Sequence, residues 1–275
     1  MSMGKLYVVA TPLGNLEDIT LRALRILDEV ALIATEDTRT TGRLLSHFDI
    51  SCPMVSYFEH NKITRLERVL DALAGGDVAL VSEAGTPLLS DPGFELVQAA
   101  LQQGVEVVPI PGVSAVTAAL SAAGLPTDRF LFLGFVPRKA AARKKWLADV
   151  QPQPATLIFY ESPHRIRATL ADMVEVFGPE RPVAVCRELT KLYEEIWRGT
   201  LQAAQLEWQG REPRGEFTLV VGGAEAPEPW DENQVETLLR DLLASGLSPR
   251  DAVRRAVAQS GWPKRKVYAL AQQLK

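Results

Sequence analysis

The side chains able to do chemistry gather in three short loops. Thr35-Glu-Asp-Thr-Arg-Thr40 carries the carboxylates Glu36 and Asp37, Ser82-Glu-Ala-Gly-Thr-Pro87 carries Glu83, and Glu161-Ser-Pro-His-Arg165 carries Glu161 and His164. Carboxylates and imidazoles in such loops can take or give a proton, and the residues alone do not rank the five. Asp37 has an equal claim as the cap of a helix starting near Thr38. Arg39 and Arg165 lie in the same loops, where they either pair with Asp37 and Glu161 or hold phosphates. His60, in Tyr57-Phe-Glu-His-Asn61, reads as a polar residue ahead of a helix, whereas His164 reads as functional. Arg187, Glu188 and Lys191 read equally well as exposed strand-end charges.

Several chemistries are excluded by what these loops lack. No G-x-G-x-x-G follows a strand, no G-x-x-x-x-G-K-[ST] occurs, and no G-x-S-x-G elbow is present. Two separated cysteines and three histidines form no zinc spacing and no disulfide framework, so Cys52 and Cys186 read as buried thiols and no metal is expected.

The elements that position the loops alternate between strand and helix. Leu6–Ala10, Ala31–Ala34, Val78–Val81 and Val105–Ile110 are short apolar runs. Helices follow near 21–27 (capped by Thr20), 61–74 and 94–103, a pattern that indicates a mostly parallel sheet covered on both faces. The loops at its strand ends, Ala10–Asn15, Thr35–Thr40, Val81–Gly93 and Pro109–Ala115, mix Gly and Pro with short polar residues. Open α/β sheets bind ligands at that edge. A second unit follows the helix 113–123, with strands at 130–135, 156–160, 183–186, 194–198 and 217–221 and helices at 140–149 and 163–176. The 194–198 strand alternates like a half-exposed antiparallel one. A linker, Gly222–Pro229, leads to helices at 231–244, 248–259 and 263–273, a helix-turn-helix-like group or a packing cap. The boundaries are thus 1–112, 113–224 and 231–275.

The 275 residues are 47% hydrophobic and 23% charged, a globular mix with a net charge of −4. The charge is uneven. Residues 246–275 carry seven cations against one acid, leaving −10 on the rest. Within that acidic remainder, Arg138-Lys-Ala-Ala-Ala-Arg-Lys-Lys145 holds five cations in eight positions. Basic runs are most often solvated faces, but two on an acidic chain favour a polyanion. No apolar run is long enough to span a membrane, and the start, Met1-Ser-Met-Gly-Lys5, lacks an export signal. A soluble cytoplasmic protein is expected. The five tryptophans read as packing residues, with Trp262, beside Lys264, also able to stack on a base.

Seven ordered motifs carry a resemblance. Val9-Ala-Thr-Pro-Leu-Gly-Asn-Leu16, Glu36-Asp-Thr-Arg39, Ser82-Glu-Ala-Gly-Thr-Pro87, Ser90-Asp-Pro-Gly93, Pro111-Gly-Val-Ser-Ala115, Glu161-Ser-Pro-His-Arg165 and Gly215-Glu-Phe-Thr218 look like those of the tetrapyrrole (corrin/porphyrin) methylase superfamily. More narrowly they resemble its RNA branch, the ribosomal RNA small subunit methyltransferase I family, over about residues 5–222. The resemblance implies an α/β, two-domain tetrapyrrole-methylase-like fold with an S-adenosylmethionine (SAM) cleft between the domains, plus a small C-terminal helical module. It implies 2′-O-methylation of a cytidine in small-subunit rRNA, free or in the 30S particle, by a homodimer.

Family cofactor contacts carry over to Pro12, to Ala84, Gly85 and Thr86 in place of Gly-Gly-Asp, and to Leu89, Ser114 and Ala115. In the second domain they fall on Tyr160, Glu161, Leu189 and Thr218. Thr86, where tetrapyrrole-making relatives have Asp, argues against a porphyrin substrate. Arg39, Arg138, Lys139, Arg143, Lys144, Lys145, Arg165, Arg187, Lys264, Arg265 and Lys266 are the expected RNA contacts. A small-molecule methylase of the same fold and a non-catalytic RNA-binding protein are the competing readings.

Overall fold

The computed structural model describes residues 3–57, 62–224 and 230–274, with residues 62–64 described by their backbone alone. His60, residues 225–229 of the expected linker and Lys275 lie outside them. The chain forms two compact units, Met1–Ala224 and Glu225–Lys275.

The first sheet contains β1 (Leu6–Val9), β2 (Leu32–Thr35), β3 (Met54–Ser56), β4 (Val78–Val81) and β5 (Val107–Ile110). Its order is β3-β2-β4-β1-β5, and every pair is parallel. All five strands therefore end on one edge, where the four polar loops emerge. Alternation along β4 shows how the two faces are filled. Val78 and Leu80 pack with Leu73 of α3 (Lys62–Gly75) and Leu96 of α4 (Phe94–Gln102), whereas Ala79 and Val81 pack with Leu27 of α1 (Leu21–Glu29) and Leu45 of α2 (Thr38–His47). Thr20 caps α1 as expected, accepting from the Ala23 amide. Leu6 donates to Glu106 and Ala10 to Ile110, so alternate residues of β5 face β1 and Pro109 turns its nitrogen to the open edge.

The second sheet is mixed. It contains β6 (Phe130–Phe135), β7 (Thr156–Glu161), β8 (Pro182–Arg187), β9 (Glu195–Thr200) and β10 (Phe217–Val221), in the order β6-β7-β10-β8-β9. Only β6 and β7 run parallel; β9 is the antiparallel edge strand the alternation at 194–198 implied. One face is covered by α5 (Ala115–Ala123) through Val116, Ala119 and Leu120. The other is covered by α6 (Ala140–Val150), α7 (Ile166–Phe177) and α8 (Leu201–Gln209), whose Leu147, Leu170 and Trp208 pack on Phe159 and Leu219. Cys186 is buried and Cys52 half-buried.

The C-terminal unit packs α9 (Glu232–Ala244), α10 (Pro249–Ser260) and α11 (Lys264–Gln273) around Val235, Leu239, Val253, Ala256 and Val267. An Asp231/Gln234 capping box starts α9, and Ser248 caps α10 with Pro249 in its first turn. Trp262 is a packing residue: its indole N–H donates to the Trp230 carbonyl at 2.7 Å. Lys264, Arg265 and Lys266 are exposed.

The expectation that Arg143 faces a polyanion is corrected. Arg143 lies on the inner face of α6, 5% exposed, with Nε and Nη2 each 2.6 Å from Asp172 of α7. A guanidinium buried against a carboxylate and the Arg138 carbonyl is out of a polyanion's reach. Removing it leaves the buried Asp172 carboxylate only the longer contact to Lys144, 3.7 Å, so Arg143→Ala should lower stability by about 3 kcal/mol, read from denaturant midpoints.

Candidate active site

The polar edge of the first sheet is knitted by its own backbone. Thr11 and Gly85 exchange two backbone hydrogen bonds, 2.9 and 2.8 Å, forming an isolated bridge between the first and third loops. The Thr86 hydroxyl donates to the Val113 carbonyl at 3.0 Å, tying in the fourth loop. Gly85 sits at φ +78°, where a Cβ would also lie 3.2 Å from Leu13. The Gly85 N–H and C=O both pair with Thr11. Ala84, Thr86, Ser114 and Ala115 remain half-buried around this tie, Pro12 is buried beside it and Leu89 is exposed. Thr11 to Gly14 line a pocket with Thr40, Arg43, Ser82 and Glu83.

The second sheet closes on this edge. Ala115, Tyr160 and Leu189 belong to one apolar cluster with Leu13 of the first loop. Thr218 is the second residue of β10, opposite Tyr160 and Cys186. A Cβ at Gly134 of β6 would lie 3.2 Å from the Ser90 hydroxyl, so the loops of the two sheets touch. Burial pushes the Tyr160 hydroxyl up to about 12, with Asp91 and Glu216 adding to the effect.

The five proton-taking candidates separate once their partners are known. Asp37 caps α2 through the Arg39 amide and also binds the Arg39 guanidinium, which holds its carboxyl below the usual range. Glu161 is sealed in the protein: it accepts from the Thr169 hydroxyl (2.6 Å) and the Ser162 amide (2.7 Å) and pairs with Arg165 at 2.6 Å. A carboxylate so engaged is a structural anchor, which corrects its reading as a base. Glu83 is exposed, and His164 is exposed on the far loop. Glu36 is different. Burial, reinforced by Asp91, Glu83 and Asp37, pushes its carboxyl up to about 7.

Asp91 was not among the expected residues. Burial raises it to about 6 against an opposing hydrogen bond with Ser82, and Glu83 adds to the rise. Its signal was present in the Ser90-Asp-Pro-Gly93 motif, where it reads as an ordinary turn residue. Among the described residues no group of His, Cys, Asp and Glu is arranged to hold a metal, and no helix is long and apolar enough to cross a membrane.

The expected cationic contacts also divide. Arg165 is spent on Glu161, Ser162 and the Val136 carbonyl, and Arg187 on Glu195 and the Arg214 carbonyl. Lys144 pairs with Glu175 at 2.6 Å. Arg39 reaches Asp37 but stays exposed. Arg138, Lys139 and Lys145 are exposed.

Comparison with known proteins places this geometry. A model of tetrapyrrole (corrin/porphyrin) methylases matches residues 5–205, and one of a C-terminal helix-turn-helix domain, named for RsmI, matches 229–275. Curated relatives named ribosomal RNA small subunit methyltransferase I match over nearly the whole length. Those from Halalkalibacterium halodurans (49% identity, 98% of this chain, 95% of the relative) and Pseudomonas aeruginosa (50%, 99% and 98%) are two of them. Among solved structures, a uroporphyrin-III C-methyltransferase from Thermus thermophilus aligns with TM-score 0.57 at 25% identity, covering 80% of this chain and 94% of that one. Diphthine synthase aligns with TM-score 0.59 at 16%, covering 80% and 90%. A Thermus thermophilus structure complexed with S-adenosyl homocysteine aligns at 22%.

Two measurements check this geometry. Gly85→Ala should cost about 1–2 kcal/mol, because the left-handed region penalises a Cβ; unaltered denaturant midpoints would show the bridge to be dispensable. Carboxyls raised in the fold keep protons the unfolded chain has released, so stability should fall as pH rises from 4.5 to about 7. Glu36→Gln should flatten that fall and leave the protein more stable than wild type above it.

Proposed function

The chain belongs to the tetrapyrrole methylase family, and from that premise we propose that it transfers a methyl group from SAM to the ribose 2′-hydroxyl of a cytidine in small-subunit rRNA. The observation that carries this reading is the joining, in one chain, of the methylase architecture to a three-helix module with exposed Lys264, Arg265 and Lys266. The near full-length match to relatives named for rRNA methylation supports it. A tetrapyrrole-like acid has no use for that module, and a purely RNA-binding role has no use for the cofactor loops.

The residues around the cleft fit SAM. The Thr190 hydroxyl is buried with no hydrogen-bond partner among the described residues, beside Leu189 in a loop where Glu188 and Thr190 both have positive φ. No side chain caps the N-terminus of α5 at Ser114, so its first-turn amides suit the cofactor's carboxylate. Ala115, Tyr160 and Leu189 offer the adenine an apolar wall. When bound, SAM supplies an electrophilic methyl on a sulfonium centre.

The chain's own contribution is placement and proton removal. Holding the hydroxyl in line with the methyl removes much of the entropic barrier. The Glu36–Asp91 pair is poised near neutrality to accept the hydroxyl proton, since a base works best with a pKa near the working pH. Exposed cations of α11 and the 138–145 segment contact phosphates, while the cleft selects the ribose. A cytoplasmic homodimer acting on rRNA or the 30S particle completes the proposal.

Label from methyl-labelled SAM, offered to rRNA, 30S particles and tetrapyrrole precursors, should appear in RNA as an alkali-stable dinucleotide. It should vanish when the target nucleotide is a deoxynucleotide. Label on the tetrapyrrole would overturn the reading. Replacing Lys264, Arg265 and Lys266 with Ala should weaken RNA binding and flatten its salt dependence, leaving SAM affinity intact. Wild-type RNA affinity and salt slope would return α11 to packing alone.

A further inference from the structure

A second pocket lies at the C-terminal end of β6 and the start of α7. It is lined by Phe135, Val136, Arg138, Ser162, His164 and Arg165. Arg165 is a wall of this pocket rather than a free group. Its guanidinium ties Glu161 and the Ser162 hydroxyl to the Val136 carbonyl, and so fixes the two loops against each other.

Arg138 and His164 are in the opposite state. Both are exposed, and among the described residues neither side chain makes a hydrogen bond or ion pair. Arg143 and Lys144, from the same basic run as Arg138, are engaged by Asp172 and Glu175. No side chain caps the N-terminus of α7 beside them.

Phe135 supplies the second, independent observation. It is 53% exposed at the end of β6, with a face open to solvent. Its ring stands edge-to-face with Tyr160 at 5.6 Å, which holds it in position. A fixed, exposed aromatic beside an unpaired guanidinium and an unpaired imidazole matches what a nucleotide presents, a π-face and an adjacent anion. An acidic peptide would use Arg138 and leave the ring idle.

We propose, resting on the RNA reading above, that this pocket takes one nucleotide of the RNA, Phe135 stacking its base while Arg138 and His164 hold its phosphate. His164 is then a binding residue and takes no part in proton removal. Through Tyr160 the pocket adjoins the cleft, so the nucleotide is a neighbour of the one modified.

The test uses the full-length protein and whichever substrate, rRNA or 30S particles, the wild type methylates. Phe135→Ala should weaken RNA binding by about 5- to 150-fold, the range for one stacked base, while Phe135→Trp keeps wild-type affinity. Arg138→Ala should reduce the salt slope by about 0.7, one phosphate on a single strand. His164→Gln should raise KM at unchanged kcat. SAM affinity, by calorimetry, should be the same in all four.

Wild-type RNA affinity in Phe135→Ala would overturn the stacking assignment. A fall in kcat at unchanged KM in His164→Gln would return that residue to proton transfer and overturn its phosphate role. The wild-type control separates two failures: an enzyme that methylates RNA with variants unmoved loses only this subsite. A wild type that neither binds nor methylates RNA overturns both readings.

Discussion

Two hydrogen bonds exchanged between Thr11 and Gly85 govern how the rest of the site is built. A parallel sheet delivers its strand ends to one edge but leaves the loops there free to wander. The exchange joins the loops after β1 and β4, and Thr86 joins them to the loop before α5. Three segments distant in sequence are thereby tied together. The bridge demands a left-handed residue at its centre, hence glycine at 85. Ala84 and Thr86, on either side of it, stay half-buried.

Charge is partitioned on the same principle of prior commitment. Cations that look alike in sequence fall into two populations. Arg143, Arg165 and Arg187 are engaged by carboxylates that hold helices and loops together. Arg138, Lys139 and Lys145, with the three cations opening α11, reach solvent. A buried guanidinium without its partner would be costly, so the engaged group cannot double as a ligand site. The carboxylates show the converse. Crowding Glu36, Glu83 and Asp91 in a partly dry loop cluster is unfavourable for folding and leaves two acids titrating near neutrality.

Much of this was legible before any coordinates. Strands buried on both faces read as unbroken apolar runs, so β1, β4 and β10 were recoverable to within a residue or two. The caps Thr20, Asp37 and Ser248 announced their helices. What escaped depends on contacts distant in sequence. β3 has only three residues, too few for a period, and exists because β2 pairs with it. α8 buries only Leu201, Ala204 and Trp208 and leaves Leu206 in solvent, so its apolar spacing is blurred. Arg143 is indistinguishable from Lys145 until Asp172 on α7 is placed against it. Asp91 reads as a turn residue until burial raises its pKa.

Pro109 has a consequence for assembly. Its nitrogen faces the open side of β5 and carries no hydrogen, so an incoming strand would meet a gap in the row of donors. The first sheet thus terminates at β5 by chemistry as well as by topology. Self-association that extends this sheet into a continuous ribbon is blocked there, and with it one common route to aggregation. Copies of the chain that meet on that side must recognise each other through side chains, whose identity can be selective where backbone pairing is not.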